Sequence, residues 1–340
     1  MNNFRILSIL TLLLFSASMV VSAQSKVALS AQKLMVEQKY RKATELVSDH
    51  LRAHPDDFDA LYTLATIEQT KILDYESYLI NGEKFEKLAD SICTILRKRQ
   101  NQLRGEDSIR CLFYTANLIG GIGVMQAKSG KWFEGVRNAV SSVGMLKKVK
   151  KMDSGFLAAD LGIGAFDYYL STSFKWLPFV TEDKVEQGVN AIERALHAPF
   201  PFNHAAKNTL SWILIERKQY SRADSLARSV LSELPENTLF LRIRALIALR
   251  TKLYKDALQM AEEMIVKSKR RSPVNWSDLV TGYYIKVHCH EHAENRKKTY
   301  SAAHGILSHP IPSAYKRVPH VKRHLEYLKQ VRSKTKSSGK

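Results

Sequence analysis

Across 340 residues the chain carries 52 Lys+Arg against 33 Asp+Glu, a formal net charge of +19, with 45% hydrophobic and 25% charged residues. That hydrophobic share excludes disorder except at the ends, and 15 Gly with 9 Pro are few for an all-β protein of this length. Long stretches rich in Leu, Ala, Lys and Glu predict an all-α chain.

In chain order, a short basic start with Arg5 precedes a strongly apolar run over 6–21, and Val21-Ser22-Ala23 puts small residues where a signal peptidase reads them. This predicts a secretory signal over 1–23, with Gln24 first after cleavage. The run is short for a membrane span, which wants about 20 apolar residues. No cysteine follows it, and no second candidate span is expected. In an exported chain the odd set Cys93, Cys111 and Cys289 cannot all pair internally. Cys93–Cys111 is a conceivable bridge, and buried thiols are the expected state.

The next element sets the theme. Tyr40, Ala43 and Pro55 recur as Tyr220, Ala223 and Pro235, with 15 residues from Tyr to Pro in both. Tyr254 follows Tyr220 by 34 and has Ala257 three residues on. Such a fixed period marks a helical repeat array. The clearest units span 27–55, 206–235 and 239–267. In the second, 206–217 reads as one helix, with Leu210, Ile213 and Leu214 on one face. Residues 220–234 read as its partner, carrying Ala223 and Ala227, and Pro235 ends it because proline lacks the N–H. Ala257 and Ala261 repeat these positions in the third unit. Small residues are expected where paired helices cross most closely, and the aromatic is expected to fill the wedge between pairs. A degenerate unit places Trp132 in the aromatic position, with Gly123, Gly135 and Ala139 as its small contacts. Its period is irregular, and a helix over 85–99 falls in that stretch. Residues 155–183, rich in Gly and aromatics, form a helix, an apolar turn and a new helix start. Past 267 a divergent pair (277–292, 293–307) precedes a basic region over 311–340, with a short helix at 321–331 and a disordered tail.

Three clusters invite chemistry. Gly120-Gly121-Ile122-Gly123 lacks the preceding strand and the Gly-Lys-Ser/Thr of a phosphate loop, so close helix packing accounts for it better. His288 and His292 share a helix face, yet two ligands rarely suffice for zinc. Asp153, Asp160 and Asp167 sit seven apart without a companion nucleophile, which favours capping and buried hydrogen bonding to Tyr168 or Tyr169. No cofactor, metal or small-molecule substrate is expected.

The aromatic, the Ala three later, the second small residue and the closing Pro resemble the tetratricopeptide repeat, whose length equals the 34-residue step. The arrangement is similar to exported bacterial tetratricopeptide proteins, and more faintly resembles the Iml2/TPR39 group through its Gly-Phe and Leu-Pro run. The resemblance implies an α-α superhelix over 24–310, with partly lengthened repeats, acting as a non-catalytic scaffold for protein partners in the periplasm or at the outer membrane. It places the binding surface on the first helix of each pair, at Asn208, Trp212, Arg242, Leu246 and Arg250. Basic clusters at 147–151, 267–271 and 316–340 suggest an alternative, an adaptor touching anionic lipid or polysaccharide. In an exported chain nucleic acid is not an expected partner. An enzyme reading would rest on Asp160 and Asp167 or the histidine pair.

Overall fold

The computed structural model describes residues 24–173 and 183–337. The expected signal segment, the Phe174–Glu182 part of the apolar turn and the last three residues lie outside that range. Among the described residues there are sixteen helices and no strand. They run as α1 (Lys26–Val36), α2 (Tyr40–Ala53), α3 (Phe58–Tyr75), α4 (Tyr78–Gln100), α5 (Gly105–Lys128), α6 (Trp132–Met152), α7 (Ala158–Ser173) and α8 (Val185–Ala195). Then follow α9 (Phe202–Glu216), α10 (Tyr220–Glu233), α11 (Thr238–Arg250), α12 (Tyr254–Arg270), α13 (Trp276–His292), α14 (Arg296–Leu307), α15 (Ser313–Lys316) and α16 (Pro319–Ser337). Each odd helix up to α13 pairs with the next, giving seven stacked hairpins.

One local device closes six of the hairpins. Gln38, Glu76, Gly130, Lys218, Lys252 and Glu294 all sit at positive φ, two residues before the second helix of their pair. The next backbone N–H then donates to the carbonyl five residues back: Lys39 to Leu34, Ser77 to Ile72, Lys131 to Gln126, Gln219 to Leu214, Leu253 to Ala248 and Asn295 to His290, at 2.8–3.0 Å. This capping motif satisfies carbonyls that a helix end leaves orphaned. Glycine is the easiest residue there, yet only Gly130 is one. A search for Gly-marked turns therefore misses five of the six.

Packing follows the small residues. Ala43, Ala223, Ala227, Ala257 and Ala261 are fully buried, and Tyr40 is buried with them. Tyr220 and Tyr254 are half-buried, the latter stacked on His292 with ring centroids 3.8 Å apart. Pro55 and Pro235 lie just past the ends of α2 and α10, exposed. Trp132 corrects the expectation: it is 54% exposed, not enclosed like Tyr40. The reason is the glycines. A Cβ built on Gly123 would meet the Gly135 carbonyl at 2.8 Å, and one on Gly135 would meet the Gly123 carbonyl at 2.9 Å. The backbones of α5 and α6 already touch there, leaving no gap for a large ring. Helix α5 is long and apolar enough to cross a bilayer by composition alone, but 67% of that stretch is buried as core. All three cysteines are free and buried.

The C-terminal region is more ordered than its composition suggests. Helix α16 extends to Ser337 and buries Val321, Leu325, Leu328 and Val331 against α13 and α14. The array also closes on itself. The α1–α2 turn meets the start of α11, and the end of α3 meets α13. Ordinary solenoid repeats touch only their neighbours; here residues about 200 positions apart are hydrogen-bonded.

Candidate functional site

Asp74, near the end of α3, is the hub of that closure and is fully buried. Its Oδ2 accepts from the Tyr40 hydroxyl at 2.8 Å, from Gln38 Nε2 at 3.0 Å and from Arg271 Nη2 at 2.5 Å. Asn275 Nδ2 donates to the Asp74 backbone oxygen at 3.2 Å and to Asp278 Oδ2 at 3.1 Å. Asp278 in turn receives Arg242 Nη1 at 3.0 Å. Burial pushes the Asp278 carboxyl up and the Arg242 charge restrains it. Burial alone would lower Arg271, but Asp74 outweighs it and holds the guanidinium protonated above its ordinary value. The Arg271 guanidinium also lies 4.2 Å from the Tyr75 ring centroid. Buried charges demand partners, and here each has one.

The sequence-predicted inner face lies beside this hub. Trp212 on α9 is half-buried, and the Arg242 guanidinium stands 5.7 Å from its ring centroid. Arg242 itself is only 7% exposed and committed to Asp278, so it holds α11 to α13 and orients Trp212. Asn208 is half-buried with its Oδ1 lacking a hydrogen-bond partner. Leu246 is half-buried and packs among Ala245, Ala257 and Ile285 neighbours, while Arg250 is exposed. The structure adds Tyr284, which sequence reading missed. Asn237 and Asn275 cap α11 and α13 through their side chains, and Tyr284 stands as far past Asn275 as Leu246 does past Asn237. Those two caps are the signal that would have found it. Burial raises the Tyr284 hydroxyl pKa, and the nearby Arg250 and Arg323 charges oppose that rise. Trp212, Leu246, Arg250 and Tyr284 thus run along the first helices of three successive pairs.

Helix α16 borders this face through stacked rings. His324 stacks on Tyr284 at 3.9 Å and Tyr327 on His288 at 4.2 Å, while His320 Nε2 lies 2.9 Å from the Ser277 hydroxyl. Burial holds both His320 and His324 down to about 3, helped for His320 by Arg242, Lys128 and Arg323 and for His324 by His320, Arg323 and His288. Both rings are neutral in the fold, so their contribution is complete above the unfolded value near 6.5. It is lost as pH falls from there toward 3, at about 1.4 kcal/mol per histidine per pH unit. Limited proteolysis is therefore expected to release α16 at pH 5 and spare it at pH 7.5. Replacing His324 with Phe should make the helix more acid-resistant. Equal cleavage of wild type at both pH values would contradict this.

The other clusters resolve into structure. His288 Nδ1 lies 3.0 Å from the Tyr327 hydroxyl and His292 stacks on Tyr254, so the pair serves two separate packing contacts. Among the described residues no group of three or more His, Cys, Asp or Glu is placed to hold a metal. Asp160 is buried between Lys150 Nζ at 2.9 Å and Arg194 Nη2 at 3.1 Å. The tyrosine partner expected for the aspartates is instead elsewhere: Tyr168 donates to Glu216 at 3.2 Å. Asp153 accepts from the Gly155 N–H at 2.8 Å in the turn before α7. A cleft of about 370 Å³ involves Ser25, Asp57, Asp59, Arg99 and Arg110. Its carboxylates are already engaged, Asp59 by the Ser25 N–H and Tyr114 hydroxyl and Asp57 by the Ala60 N–H and His50.

No family model matches the chain, and no curated protein matches it. Among solved structures it resembles a chain of the APC/C hetero-tetramer Cut9-Hcn1, with a TM-score of 0.58 at 13% identity over 94% of this chain and 53% of that one. It spans about half the length of that chain. Yeast Tom70 (TM-score 0.35, 8% identity, 90% and 88% coverage) and the P58(IPK) TPR domain (0.27, 13%, 91% and 98%) align too loosely to carry an argument. Hairpin stacking, buried alanines and this likeness together establish the fold, an all-α tetratricopeptide-like superhelix.

Proposed function

We propose that the chain is an exported, non-catalytic scaffold that holds a segment of a partner protein against the first helices of its last three pairs. The observation that carries this is the placement of Trp212, Leu246, Arg250 and Tyr284 on successive first helices, two half-buried aromatics and an aliphatic with an exposed Arg. Aromatic and Arg side chains in partly desolvated settings are typical anchors of protein interfaces. The Arg250 and Arg323 charges favour an acidic segment. The expected leader over 1–23 supports export to the cell envelope.

A protein lacking these anchors tests the reading. Arg250→Glu, at an exposed position, is expected to keep the wild-type melting temperature, and Trp212→Ala/Arg250→Glu to lower it, because Trp212 packs against the core of α9–α11. The double variant should lose at least tenfold in affinity for partners captured from the native envelope by wild type. Partners held equally by both proteins would refute this placement. Arg242→Ala is unsuitable for the purpose because it strands the buried Asp278 charge.

A further inference from the structure

A different surface lies on α6. Phe133 is 81% exposed, the highest value among the exposed large hydrophobics, and Trp132 beside it is 54% exposed and Val140 52%. Phe133, Arg137, Val140, Gly144 and Lys148 fall at i, i+4, i+7, i+11 and i+15, which puts them on one face of the helix. Lys147 and Lys151 flank it, and Glu134 is the only acid in α6. Arg137, Lys148 and Lys151 are exposed and enter no ion pair among the described residues. The opposite face of α6, with Gly135, Val143, Leu146 and Val149, is buried.

We propose that this face of α6 docks on an anionic lipid surface, with Phe133 entering the headgroup layer and the cations lying against phosphates. Exposed apolar side chains gathered on one face mark contact sites, whereas scattered ones do not. Phe133 stands at the start of the helix beside the Gly130 turn, at one end of the line of exposed cations. A ridge about 27 Å long, from 1.5 Å per residue over 133–151, suits a plane better than a groove. Cations interleaved with aromatics are the chemistry of helices that lie in the membrane interface. The proposal is independent of the partner-binding face on α9–α13.

Because the whole chain is basic, the test must separate this face from net charge. Full-length protein is sedimented with phosphatidylcholine vesicles, with and without phosphatidylglycerol. Binding is expected only to the anionic vesicles and is expected to weaken with salt. Arg137→Gln/Lys148→Gln/Lys151→Gln should lower it about a hundredfold, at about fivefold per charge. The charge-matched Lys322→Gln/Arg323→Gln/Lys329→Gln on α16 should lower it less than tenfold. Phe133→Ser should weaken it about tenfold, from lost apolar burial, and leave the salt dependence unchanged. Equal losses from the two triple variants, or no effect of Phe133→Ser, would overturn the proposal. So would binding to polyglutamate with none to vesicles, which would make the face a site for acidic protein. All the altered side chains are exposed, so unchanged melting curves are expected throughout.

Discussion

Asp74→Ala is expected to destabilise the protein by about 3–5 kcal/mol, the range for removing one partner of a buried charge pair. The variant leaves the Arg271 guanidinium enclosed without its carboxylate and strips partners from Tyr40 and Gln38 as well. Denaturant unfolding followed by circular dichroism would measure it. The surface pair Lys39–Glu37 supplies the comparison, since Lys39→Ala should change stability by less than about 0.5 kcal/mol. Arg271→Ala should cost a similar amount to Asp74→Ala, and the double variant should cost much less than the sum, because the two act on one interaction. Full additivity would mean that the carboxylate and the guanidinium do not depend on each other.

Glycine substitutions should split in sign according to where the glycine sits. A Cβ on Gly164 would stand 2.5 Å from the Gly188 carbonyl oxygen, and one on Gly188 would stand 2.7 Å from both the Gly164 oxygen and the Tyr168 nitrogen. Backbone atoms cannot rotate away, so Gly164→Ala must push α7 and α8 apart. Overpacking of this kind costs about 1–3 kcal/mol and sometimes more. Gly144 is also helical, on α6, and has nothing within 4 Å of a built Cβ. Gly144→Ala should therefore stabilise by about 0.5–1 kcal/mol, the ordinary helical preference for alanine. Two chemically identical changes with opposite effects would tie stability to the crossings. If Gly164→Ala were neutral, the close α7–α8 contact would be wrong.

The repeat was legible because its signature residues are local. Tyr40, Ala43 and Ala223 define a period without reference to anything distant, and the helices over 206–217 and 220–234 came within a few residues of α9 and α10. The middle of the chain was hard to read for a physical reason. Where Gly123 faces Gly135, two small residues replace the aromatic and alanine pattern, and Trp132 keeps its place in the period while standing 54% exposed. Past α12 the period slips because that helix runs to Arg270, which shifts the cap from Asn237 to Asn275 by more than one repeat.

The proposed site was legible in part. Trp212, Leu246 and Arg250 could be placed by register alone, since register fixes which face of a helix looks inward. Arg242 has the same register, but its side chain is committed to Asp278, a residue 36 positions away. Tyr284 and its cover by His324 depend on how α16 packs: the short helix at 321–331 was legible, its docking against α13 and α14 was not. The Asp74 hub could not be read at all, because it joins elements about 200 residues apart and no sequence period encodes that closure.

The stacked hairpins close on themselves, with the α1–α2 turn held against the α10–α11 turn. Spin labels on Lys39→Cys and Glu236→Cys test this closure directly, because both positions are exposed and the native cysteines are buried. Asn237 and Thr238 hydrogen-bond to Val36 and Gln38, so pulsed dipolar spectroscopy should give one short, narrow distance that broadens and lengthens in Arg271→Ala. A long or broad distribution in the otherwise wild-type protein would contradict the closure.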